Sequence, residues 1–202
     1  QGIKRYSRPI PGERVQIDVT KIRAKCYQFT AIDDCTRLRV LRLYPNKKAE
    51  NVVLFLYEIL DNFPFPIQRI QSDWGTEFFN DKLQEELMVH FIKFRPIKPR
   101  TPHLNGKVER SQKTDKAEFY SLINLKDHSL PLDKLLTEWE YFYNHLRPHA
   151  SLSGKTPYEK YLETESRVPL QGEVTQNYWD SPAEKIVPRN SKYLTWIKDN
   201  KM

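Results

Sequence analysis

The sequence predicts an α/β domain built on a mixed central sheet. Three observations carry that expectation: three strand-like segments run consecutively near the start, helix and strand then alternate, and the rest reads as helices. At 202 residues the chain suits one sizeable domain of roughly 100 to 200 residues with an appendage. Its 39% hydrophobic and 12% aromatic content stands above that of disordered chains and marks a folded protein.

Val15, Ile17 and Val19 alternate with Gln16, Asp18 and Thr20, the period of two of a strand with one apolar face. Asp18 falls on the polar face, at the expected end of that strand. Lys25 to Ile32 and Leu38 to Tyr44, rich in aromatic and branched residues, flank the turn-forming Asp33-Asp34-Cys35-Thr36, which predicts an antiparallel meander. From Lys48 to Asn62 the apolar residues follow helical spacing, and Phe63-Pro64-Phe65-Pro66 stops that helix. A short strand, Ile67 to Ser72, leads to Asp73; a helix then runs to His90 and a strand from Phe91 to Arg95. The prolines from Pro96 to Pro102 exclude regular structure and imply an exposed, stiff loop. Asn105-Gly106 opens a long helix to about Ile123, with Asn105 as its expected cap. Another helix covers Leu132 to about Leu146, and Thr156-Pro157 begins a short one ending at Leu162. Beyond Glu163 the periodicity fades into a segment with isolated aromatics.

No apolar run approaches the roughly 20 residues that span a bilayer, and Gln1-Gly2-Ile3-Lys4-Arg5 lacks a secretory pattern, so the expected compartment is cytoplasmic, without membrane association. Cys26 and Cys35 are nine steps apart along extended chain, too far for a disulfide. The five histidines form no zinc-ligand pattern; His145 and His149 read as surface or hydrogen-bonding groups. The net charge of +7 favours a polyanionic partner, although composition alone does not decide this.

Asp18 and Asp73 follow strands, and Glu109 lies in the first turns of the helix after the proline loop. Strand ends and adjoining loops are where an α/β sheet gathers functional groups. Carboxylates brought together repel unless cations lie between them, and hard oxygen ligands select Mg²⁺ or Mn²⁺. Two such ions about 3.5–4 Å apart activate the attacking oxygen and stabilise the leaving oxygen of a displacement at phosphorus. Taken singly, an Asp at a strand end is usually a cap or turn former and a Glu in a helix usually faces water, so no one of these acids points to catalysis by itself.

Gln16-Ile17-Asp18-Val19-Thr20, Gln71-Ser72-Asp73-Trp74-Gly75-Thr76-Glu77-Phe78 and Pro102-His103-Leu104-Asn105-Gly106-Lys107-Val108-Glu109-Arg110 resemble the three acidic blocks of the integrase core of bacterial insertion-sequence transposases and retroviral integrases. The 35 residues between Asp73 and Glu109 match the spacing for which that family is named. Tyr143-Asn144-His145-Leu146-Arg147-Pro148-His149, with Ser151-Leu152 and Gly154-Lys155-Thr156-Pro157, is similar to the closing segment of the bacterial members. Trp74 departs from the pattern, where Asn often follows the second acid; it is expected to alter the pocket wall.

The resemblance implies a ribonuclease-H-like fold with a five-stranded mixed sheet flanked by helices. It implies that Asp18, Asp73 and Glu109 are catalytic and hold two Mg²⁺ or Mn²⁺ ions. The implied activity is DDE-type cleavage at mobile-element ends and transfer of the 3′-hydroxyl into target DNA, by a homo-oligomer associated with the bacterial nucleoid. Residues 1–12 read as a linker from an upstream DNA-binding region, residues 13–162 as the catalytic core and residues 163–202 as an appended segment. An inactive DNA-binding derivative and a nuclease without strand transfer are the alternatives.

From Lys93 to Lys113 seven basic residues face the single acid Glu109, the best phosphate track in the chain. The expected DNA contacts are Lys98, Arg100, Lys107, Arg110, Lys113 and Lys116. Glu109, Gln112, Lys113 and Lys116 recur at helical spacing on one polar stripe. The resemblance implies that Lys113 and Lys116 touch the element ends.

Overall fold

The computed structural model describes residues 7–72, 78–97 and 105–180, and within them five strands form one mixed sheet of order β3-β2-β1-β4-β5. β1 (Val15–Arg23), β2 (Cys26–Asp33) and β3 (Arg39–Tyr44) make the expected antiparallel meander, turning at Asp34 to Thr36. β4 (Arg69–Ser72) runs parallel to β1, and β5 (Lys93–Pro96) parallel to β4. β1 is longer than its alternation suggested. Asp18 is therefore not at a strand end but in mid-strand, opposite Thr30.

One face of the sheet is apolar. Val15, Ile17, Phe29, Ala31 and Val40 pack under Val52, Phe55, Leu56 and Ile59 of α1 (Ala49–Asn62) and Leu83 and Leu87 of α2 (Asp81–Val89). Phe29 meets the rings of Tyr44 and Phe55 edge-on at 4.9 and 5.5 Å, the arrangement that ring quadrupoles favour.

The opposite face is covered by α3 (Gly106–Glu118) and α4 (Leu132–Tyr141). It is apolar toward β3, where Leu41 packs with Phe119, Tyr120, Leu136, Trp139 and Tyr143, and at the Ile22 and Cys26 ends of β1 and β2. α3 stops short of Ile123 and tightens into a 3-10 turn at Tyr120–Leu122, whereas α4 continues as a π-helix through Phe142–Leu146. α5 (Pro157–Thr164) begins with a full capping box between Thr156 and Glu159.

Four expectations need correction. The Asn105 side chain does not cap α3. β5 starts two residues late, because Phe91 adopts a left-handed φ of 56° in the turn after α2. It also includes Pro96, which an edge strand tolerates. The segment after Glu163 contains an unpredicted helix, α6 (Gln171–Asp180), which buries only Val174 and so leaves no apolar stripe to read. Its Tyr178 and Trp179 rings rest on Phe91 at 5.8 and 6.2 Å. Cys26 and Cys35 are free thiols, as their separation requires.

Candidate active site

Period-two alternation puts Gln16, Asp18 and Thr20 on the sheet face that α3 covers. Two bonds pin the helix there. At its start the Val108 N–H donates to Gln16 Oε1 (3.3 Å), and further along Gln28 Nε2 donates to Asp115 Oδ2 (2.8 Å). Glu109 follows Val108 directly and is half-buried, as is Asp18. The fold thus brings these two acids, 91 positions apart in the chain, to one side of the sheet at the N-terminal turn of α3. One Asp18 carboxylate oxygen accepts from the Val19 N–H at 2.8 Å.

β4 ends at Ser72, and the parallel register sets Gln71 beside Gln16. Asp73, Lys98 and Arg100 lie outside the described residues. Among the described residues no group of three His, Cys, Asp or Glu side chains could hold a metal ion. Among the described residues Asn105 Oδ1 and Gln112 Nε2 are buried polar atoms without partners, and Ser72 Oγ, which alternation puts with Ile70 on the apolar face, is another. Ser72 precedes Asp73, Asn105 precedes α3, and Gln112 follows Glu109 by one helical turn.

The stripe read from helical spacing divides in two. Lys113 and Lys116 are exposed, as is Arg110, whereas Gln112 turns inward against the sheet. Lys107 also turns inward, and its ammonium pairs with the buried Asp34 carboxylate. Burial, aided by the nearby Arg37 charge, pulls the Lys107 ammonium down to about 8 against the attraction of Asp34. Burial alone would raise the Asp34 carboxyl, but Lys107 and Arg14 outweigh it and hold it below the ordinary carboxylate range.

Sequence reasoning missed a second buried network. Arg39 and Asp115, with side chains 0% and 1% exposed, pair at 2.6 Å between β3 and α3. The same Asp115 oxygen accepts from Trp139 Nε1 (2.7 Å), while Arg39 also donates to Ser111 Oγ (2.8 Å). The Arg39 guanidinium lies 3.3 Å from the Tyr143 ring centre, a cation–π contact. His149 is buried, with Nε2 3.3 Å from the Tyr143 carbonyl oxygen, and burial lowers its imidazole to about 4. Arg39 and Asp115 lie 76 residues apart, and nothing local in the sequence links them.

Two sequence-family models described as integrase core domain match the chain, one over residues 8–102 and the other over residues 90–157. Together they run from the approach to β1 to the first residue of α5. The chain belongs to the integrase core family. An ORF3 product of Spiroplasma virus SpV1-C74, named as an integrase, is 27% identical over 150 residues, covering 66% of this chain. The chain spans 41% of that relative's length.

Solved structures of similar fold include the magnesium-bound catalytic core of HTLV-2 integrase in dimeric form. It has a TM-score of 0.61 and 22% identity, with 75% of this chain and 97% of that one covered. The BIV integrase catalytic core gives 0.64 at 22% identity, covering 77% and 97%. A simian T-cell lymphotropic virus intasome, in complex with a PP2A regulatory subunit, gives 0.68 at 17% identity, covering 93% and 61%. These likenesses establish the ribonuclease-H-like fold of this integrase core.

Proposed function

We propose that this integrase core cleaves DNA at the ends of a mobile element and joins the freed 3′-hydroxyl to target DNA, as a DDE-type transposase. The observation that carries the reading is the bond from Val108 N–H to Gln16, which ties the helix turn bearing Glu109 to the strand bearing Asp18. In the sequence Asp73 follows directly on Ser72, the last residue of β4, and β4 lies beside β1. An all-oxygen donor set of this kind suits Mg²⁺ or Mn²⁺.

Asp18 and Asp73 would hold the ions, with Glu109 completing the second position. Such ions, when bound, lower the pKa of the attacking oxygen and stabilise the leaving oxygen. Water attacks a phosphodiester at the element end, and the released 3′-hydroxyl then attacks a target phosphodiester and displaces its 3′ oxygen. No side-chain general base is required. The exposed Arg110, Lys113 and Lys116 serve as phosphate contacts on the outer side of α3, with Lys98 and Arg100 extending the track. The dimeric core and intasome among the structural relatives support assembly as a homo-oligomer that pairs two DNA ends. Among the described residues no helix is long and apolar enough to cross a membrane; we place the protein in the cytoplasm, at the nucleoid.

Asp73→Asn tests the reaction. Metal ions supply several kcal/mol of transition-state stabilisation, and about 1.4 kcal/mol is tenfold in rate, so Mg²⁺-dependent nicking of supercoiled plasmid should fall by about 10³-fold. Retained nicking contradicts the mechanism. Joining of a labelled 3′ end to plasmid separates a transposase from a nuclease that only hydrolyses.

A further inference from the structure

Asp34 lies in the turn after β2, fully buried, and the proposed reaction makes no use of it. Its Oδ1 accepts from Gln16 Nε2 (3.1 Å) and pairs with the Lys107 ammonium. Its Oδ2 accepts from an Arg14 terminal nitrogen (2.7 Å) and from the Arg8 N–H (3.1 Å). Arg14 is also buried, and its other terminal nitrogen reaches Gln71 Oε1 at 3.5 Å.

The three residues gathered in this way share a position in the chain. Gln16 stands two residues before Asp18, Gln71 two before Asp73, and Lys107 two before Glu109. In an extended strand two residues are one repeat of the pleat, so fixing Gln16 fixes the strand face that Asp18 shares. Gln16 passes the constraint on, because its Nε2 is held by Asp34 and its Oε1 therefore turns toward Val108 N–H at the start of α3. Burying a carboxylate here is strongly unfavourable before pairing, and well-packed apolar groups often replace buried ion pairs with no loss of stability. Charge-assisted bonds of fixed direction supply what apolar packing lacks, namely orientation.

We propose that Asp34 is a positioning residue that sets Asp18 against Glu109 within the metal-binding triad. The proposal rests on the acidic-triad reading of the site. Residues that orient metal ligands typically change metal affinity or activity by roughly 10- to 100-fold when altered.

The test uses the full chain and Mn²⁺ alone as probe, with free ion followed by electron paramagnetic resonance, alongside plasmid nicking across a Mn²⁺ series. Asp34→Asn and Gln16→Met should each raise half-saturating Mn²⁺ by roughly 10- to 100-fold. Plasmid affinity should stay unchanged. The double variant Asp34→Asn with Gln16→Glu returns a carboxylate to the hub, able to accept from Val108 N–H and to pair with Lys107, and should recover Mn²⁺ binding. Gln16→Met removes no charge, so it carries the test if Asp34→Asn fails to fold. Parental Mn²⁺ binding in a folded Gln16→Met protein overturns the proposal. Asp18→Asn separates the two layers: if it binds Mn²⁺ and nicks like the parent, the triad itself is wrong; if it loses both while Gln16→Met is unaffected, only the positioning role fails.

Discussion

The two faces of the sheet are both covered by helices, yet they are built from different chemistry. Under α1 and α2 the buried contacts are aliphatic and aromatic, with the half-buried Arg42–Glu58 ion pair at the β3 edge. Under α3 the sheet presents Gln16, Asp18, Gln28 and Thr30, met by Val108, Ser111, Gln112 and Asp115 of the helix, with Arg14 and Arg39 buried at either side. An apolar face tolerates any packing of about the right volume. A buried polar face accepts only arrangements that satisfy its donors and charges, so it fixes where α3 lies, and with it Glu109 relative to Asp18.

A pair of near-isosteric substitutions, one per face, separates the two chemistries. Asp115→Asn leaves the Arg39 guanidinium buried without its counter-charge and should cost about 3–5 kcal/mol in chemical denaturation. Leu56→Met, on the apolar face, should cost less than about 1.5 kcal/mol. Equal costs would mean that the two faces do not differ in tolerance.

A smaller effect comes from His149, beside the same network. Its imidazole titrates near 4 in the fold and near 6.5 when unfolded, so the unfolded chain binds the extra proton between those values. The stability present above pH 6.5 is lost progressively as pH falls through this window. The melting temperature of the parent should drop over that range, and His149→Gln should flatten the dependence. An unchanged profile would mean that His149 does not couple folding to pH.

The smallest effect on the fold belongs to the outer side of α3. Lys113→Gln with Lys116→Gln should shift stability by no more than about 0.5 kcal/mol. The slope of log affinity against log salt for duplex DNA should shrink by about 0.9 for each phosphate that is no longer neutralised. An unchanged slope would exclude both lysines from the DNA-binding surface.

The apolar face was legible in the sequence because its periodicities, two for strands and 3.6 for α1, are local. The acidic blocks were legible because each is a short, contiguous motif. The polar face was not, since Arg14, Arg39, Asp34 and Asp115 resemble surface or turn residues until tertiary contacts pair them across 20 to 76 positions. Lys107 groups in sequence with the lysines proposed to contact DNA for the same reason; only the fold reveals a buried carboxylate beside it. The mid-strand place of Asp18 escaped because Lys21 and Arg23 extend β1 without apolar alternation.

In the proposed mechanism three acids remote in the chain share a pair of cations, and a Mn²⁺-soaked crystal decides whether they do. Two anomalous peaks about 3.5–4 Å apart, coordinated by Asp18, Asp73 and Glu109, are the expected result. Saturating Mn²⁺ with no ion bridging these carboxylates, or with Asp73 directed to a separate surface, would contradict it.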